Sequence, residues 1–62
     1  MNKAGTLSSA SPALRQATTA QIAEAINTWQ ARQGHATTHG MRDVAAHCKR
    51  NVAGLKPELA RR

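Results

Sequence analysis

The stretch MRDVAAHCKRNVAGLKPEL, residues 41–59, decides how the chain folds. Met41, Val44, Ala45 and Cys48 recur at the i, i+3, i+4, i+7 spacing of one helix face, and Asp43 stands where negative charge suits the helix dipole. This spacing predicts a helix over residues 40–48. Lys49-Arg50-Asn51 then interrupts the apolar texture, and Asn51 has the chemistry to cap the next helix. Val52, Leu55 and Leu59 resume helical spacing and predict a further helix over 52–61. Pro57 falls inside it. An interior proline removes a backbone hydrogen bond, clashes with the preceding turn and costs about 3 kcal/mol. It also biases Lys56 away from helical geometry, so a break is expected around Lys56-Pro57, with Pro57 opening a second turn as its first residue.

Upstream, Thr18-x-x-Gln21 fits a capping box, in which the threonine oxygen accepts from a free helix N–H and the glutamine reaches back. Ile22, Ala25, Ile26 and Trp29 follow on one apolar face, while Ala20, Ala23 and Ala31 add helix propensity. Gly34 stands where a left-handed terminating residue belongs, so the first helix is expected over 19–33. His35 to Gly40 (HATTHG) reads as a loop, with Thr37 or Thr38 as the next cap. Residues 1–17 are rich in Ser, Ala, Gly and Thr and contain Pro12, which predicts a flexible N-terminal arm with Leu14 positioned to dock on the first helix. No strand signal or internal repeat occurs. The expected fold is all-α: an arm over 1–17, then a three-helix domain over 18–62. Its expected core is Ile22, Ile26, Trp29, Met41, Val44, Cys48, Val52, Leu55 and Leu59.

Sixty-two residues make one domain, and a chain this short buries only about 60% of its unfolded surface. With a single aromatic residue, Trp29, the core is thin enough that a homodimer, a partner-stabilised fold or a marginally stable monomer is expected. A deep catalytic cavity is out of reach. The carboxylates Glu24, Asp43 and Glu58 are scattered, no nucleophile and base are paired, and no phosphate-binding glycine loop is present, so neither enzymatic activity nor a cofactor is expected. Cys48 is a lone cysteine and cannot close an internal disulfide, no apolar run approaches the roughly 20 residues of a membrane span, and no signal-peptide pattern opens the chain. These features point to the cytoplasm and away from the membrane.

Net charge is +6, from nine Lys and Arg against three Asp and Glu. That imbalance predicts a polyanionic partner, DNA first and an acidic protein surface as the alternative. The helix over 40–48, the three-residue turn and the helix over 52–61 have the proportions of a helix-turn-helix. Val44, a small Ala45 at the crossing, Cys48 and Leu55 stand where that motif needs buried side chains. From Thr18 to Arg62 the chain resembles the N-terminal helix-turn-helix of bacterial and plasmid repressors of the Kfr type, and more loosely the winged-helix N-terminal domain of LexA-type repressors. The resemblance runs through Gln33-Gly34, Thr37-Thr38, Met41 to Ala46 and the segment Val52 to Leu59. Lys49 and Arg50 stand where a helix-turn-helix usually carries a glycine followed by an apolar residue, and the glycine-serine turn of those repressors is missing. The resemblance implies a small DNA-binding transcriptional regulator, acting as a dimer with the predicted third helix or the turn before it in the major groove and the arm tracking the backbone.

The candidate nucleic-acid-binding residues are Arg42, Lys49, Arg50, Asn51, Lys56, Arg61 and Arg62. The cations suit phosphates, and Asn51 either reads an adenine edge or caps a helix. The predicted third helix offers few base-reading groups (Ala53, Gly54, Lys56, Glu58), which keeps open a module that regulates or inhibits a host protein through the same basic face, or sequence-independent coating of DNA or RNA. Arg15 could turn the arm into a further nucleic-acid contact, although a terminus without fixed structure is the more common outcome. His35, His39, His47 and Cys48 are metal-ligand types, but adjacent His47 and Cys48 point about 100° apart on a helix, so no shared metal ion is expected. Trp29 has a face on which a base could stack, and its place beside Ile22 and Ile26 assigns it to the core instead.

Overall fold

The computed structural model describes residues 7–62, and the described chain is all-helical, with no strand among those residues. A short 3-10 helix, Pro12–Gln16, precedes two long helices, α1 (Thr19–Thr38) and α2 (Arg42–Ala60). The capping box at the start of α1 is formed: Thr18 Oγ1 accepts from the Gln21 backbone at 3.1 Å, and Gln21 Oε1 accepts from the Thr18 backbone at 2.8 Å. At its other end α1 passes through Gly34 and stops four residues later. Thr37 and Thr38 donate their hydroxyls to the carbonyls of Gln33 and Gly34, at 2.9 and 3.0 Å, rather than capping a new helix. The left-handed residue is Gly40, at φ 72°. Gly40 N–H donates to Thr37 O at 3.2 Å and Met41 N–H to Ala36 O at 2.8 Å, the paired bonds of a Schellman turn. The expected loop over residues 35–40 is therefore mostly helix. The link that remains is short enough to fold α2 back against α1 as a helical hairpin.

The largest correction concerns residues 41–59. The chain forms two long helices where three were expected, because Lys49, Arg50 and Asn51 continue the helix and Pro57 is carried inside it. Cys48, Val52 and Leu55 are all buried against α1, and their spacing keeps one helical phase only if no turn intervenes. A separate five-residue helix after the turn would also bear the nucleation cost of a helix for little return. Pro57 lies one turn from the end of α2, where a single lost backbone bond is outweighed by Leu55 and Leu59 packing on either side. The steep crossing of residues 40–48 over 52–61 that a helix-turn-helix requires is accordingly not formed.

The core comprises Ala17, Ile22, Ala25, Ile26, Trp29, Cys48, Val52 and Leu55, with Leu7, Leu14 and Leu59 packed partly buried against it. Met41 and Val44, expected inside, are 40% and 45% exposed. At their level α1 presents Ala31, Arg32, His35 and Ala36, none of which is a bulky apolar cover.

Residues 7–17, which composition assigns to a loose arm, lie across both helices. Trp29 Nε1 donates to Leu7 O at 2.6 Å, and Ser9 N–H donates to Asn51 Oδ1 at 3.0 Å. Ser9 passes over bare backbone at Gly54, where an added Cβ would collide with the Ser9 side chain. The Arg62 guanidinium then holds the arm's far end, donating to the carbonyls of Ala17, Leu14 and Arg15. The first six residues, with Lys3 among them, lie outside the described part.

Candidate nucleic-acid interface

The seven candidate residues fall into three groups. Arg42, Lys49, Arg50 and Lys56 are exposed along α2, and among the described residues none of them is paired with a carboxylate. At 100° per residue, Arg42, Lys49 and Lys56 recur every seven positions and stay within about 40° of one another, forming a row about 21 Å long. Ala46, Ala53 and Ala60 occupy the same exposed face, so no bulky side chain stands between the cations and an approaching surface. Arg50 flanks the row roughly 80° further round the helix from Arg42. The buried stripe of Cys48, Val52 and Leu55, which packs on α1, is centred roughly 90° round the helix from the row.

Arg61 and Arg62 belong to a different arrangement. Both approach Glu58, at 3.7 and 3.4 Å, and Arg62 is additionally committed to the arm's carbonyls, its side chain 24% exposed against 71% for Arg61. Asn51 points inward. It is 4% exposed, its Oδ1 accepts from Ser9, and its Nδ2 donates to the His47 carbonyl at 3.0 Å. With its amide oxygen and nitrogen both used inside the protein, it neither caps a helix nor presents an edge to a base. No sequence signal marks this, because its partner Ser9 lies 42 positions away.

Trp29 is buried at 8% exposure, with the His47 ring edge-on at 5.4 Å and the Arg32 guanidinium 5.0 Å from the ring centre. The ring is part of the core cluster. His35 and His39 bring their rings within 4.3 Å at the C-terminal end of α1, whereas Cys48 is buried between the helices and His47 is exposed beside Trp29. Arg32, which no motif or spacing singles out, lines an open groove with Ala31, His35, Ala36, Met41 and Val44. No helix among the described residues is long and apolar enough to cross a membrane. Comparison with protein-family models, curated proteins and solved structures yields no match to the chain.

Proposed function

We propose that the chain is a non-enzymatic DNA-binding protein that lays the outer face of α2 against duplex phosphates, and that any regulation of transcription comes from its occupying the DNA. One observation carries this reading: the unpaired cations Arg42, Lys49, Arg50 and Lys56 share one exposed side of an unbroken helix. Phosphate contacts of this kind position a protein on a duplex and carry no sequence information by themselves. The face also holds alanines where a groove reader would carry amides or hydroxyls, so affinity should depend on salt far more than on sequence.

A titration with mixed-sequence duplex DNA at several salt concentrations tests the proposal. Lys49→Ala with Arg50→Ala removes about two phosphate contacts, and the slope of log affinity against log salt should fall by roughly 0.9 for each. The fold should persist, because both side chains are exposed. Wild-type affinity weaker than about 10⁻⁴ M at physiological salt, the weak end of non-specific binding, would remove the reading.

A further inference from the structure

Among the described residues, Met41 and Val44 are the large apolar side chains left exposed, and both line one groove. The groove has a volume of about 320 Å³ and is lined by Ala31 and Ala36 on α1, by Met41 just before α2 and by Val44 on α2. Its rim is cationic or ionisable: Arg32 and His35 line it directly, and no carboxylate does. By helical phase Asp43 points about 100° away from Val44, and Glu24 lies two turns before Ala31.

We infer that this groove docks an acidic amphipathic polypeptide segment, its aliphatic side chains seated on Met41 and Val44 and its carboxylates on Arg32. Three considerations choose this occupant. A second copy of the chain would bring Arg32 and His35 against their own likeness, with +6 on each partner, and like charges juxtaposed at an interface oppose association. A small molecule needs a site that covers about 70–90% of its surface, and a groove in which Met41 and Val44 stay 40% and 45% exposed is open along one side. A peptide side chain needs no such enclosure, and methionine, unbranched and polarisable, adapts to differently shaped apolar partners. The surface is separate from the cationic row: Val44 lies about 140–160° round α2 from Lys49 and Arg42.

The test uses the full chain and a synthetic peptide of glutamate and leucine, its leucines recurring three and four apart. A version with serine for leucine and a version with lysine for glutamate serve as controls. Binding is followed by the methyl NMR signals of Ala31, Ala36, Met41 and Val44. The glutamate–leucine peptide should shift these signals, and both control peptides should bind at least about tenfold more weakly, the scale of one lost aliphatic or charged contact. Val44→Ser should weaken binding by about the same factor and leave duplex-DNA affinity unchanged. Ala31→Glu, at an exposed position on α1, should also weaken it by placing a carboxylate on the rim. Equal binding of the serine peptide, or shifts confined to residues beside Lys49 and Lys56, would overturn the proposal as simple charge attraction. Concentration-dependent shifts without peptide would overturn it in favour of a second copy. Contacts between the Val44 methyls and residues 1–6 in the free protein would overturn it in favour of the chain's own first residues.

Discussion

Where the arm crosses the hairpin, Trp29, Val52 and Leu55 are covered. Nearer the turn along α2, about one heptad before Val52, Val44 is not. The two regions belong to the same pair of helices, and their apolar residues share a helical period. They differ in what lies above them. A helix pair buries one stripe from each partner and leaves the flanks of that stripe in water, so a third layer is needed to complete a core. Residues 7–17 supply that layer over the middle and the open end of the hairpin, with hydrogen bonds to Trp29 and Asn51 fixing its position. At the turn end α1 contributes alanines and long polar side chains, and the groove is what remains. Apolar surface is available for binding in this molecule where the described part of the arm does not reach.

Three substitutions put that contrast at risk. Trp29→Ala should have the largest effect, about 3–5 kcal/mol, the usual range for a buried aromatic. It removes the ring on which His47 and Arg32 pack and the donor that holds Leu7. In a domain whose total stability is on the order of 5 kcal/mol, this means loss of helical circular dichroism at ambient temperature. A folded variant would show that the covered end is not where the stability resides. Asn51→Ala comes next, at about 1–3 kcal/mol, because it strands the Ser9 N–H against the helix. Urea melts give the size of the effect, and faster amide exchange at Ser9 than at Ile26 would assign it to the arm. Val44→Ser should be smallest, within about 0.5 kcal/mol of wild type, as befits a side chain that already faces water. A large loss at Val44 would mean that the turn end is packed more tightly than its exposure indicates.

The parts legible in the sequence are those decided locally. Thr18 and Gln21 announce the start of α1, and Ile22, Ala25, Ile26 and Trp29 announce its buried face, because both signals lie within a few turns of chain. Gly34 misleads because a glycine inside a helix costs only about 1 kcal/mol, which continued packing of Ala36 offsets, while Gly40 six residues later satisfies the same terminating pattern. Lys49-Arg50-Asn51 looks like a turn when judged by polarity alone. Two of those residues face solvent on a continuing helix, and the third is polar because the arm needs an acceptor there. The grouping of the cations is visible as a cluster, but their alignment into a row depends on the helix being unbroken. Arg61 and Arg62 stand three and four positions after Glu58, a pairing that spacing alone can indicate, but the commitment of Arg62 to the arm's carbonyls, 45 to 48 positions away, leaves no local signal.

The hydrogen bond from Trp29 to Leu7 also makes the molecule its own instrument. Trp29 is the only tryptophan, so the protein has one indole N–H resonance and one ultraviolet emitter, both located at the joint between arm and hairpin. Lifting the arm would hand that N–H to water, moving its proton signal and accelerating its exchange while the helical backbone signals stay in place. Melting of the hairpin would change all of them together. A single resonance can therefore time the arm's release separately from unfolding, with no label attached and no residue replaced.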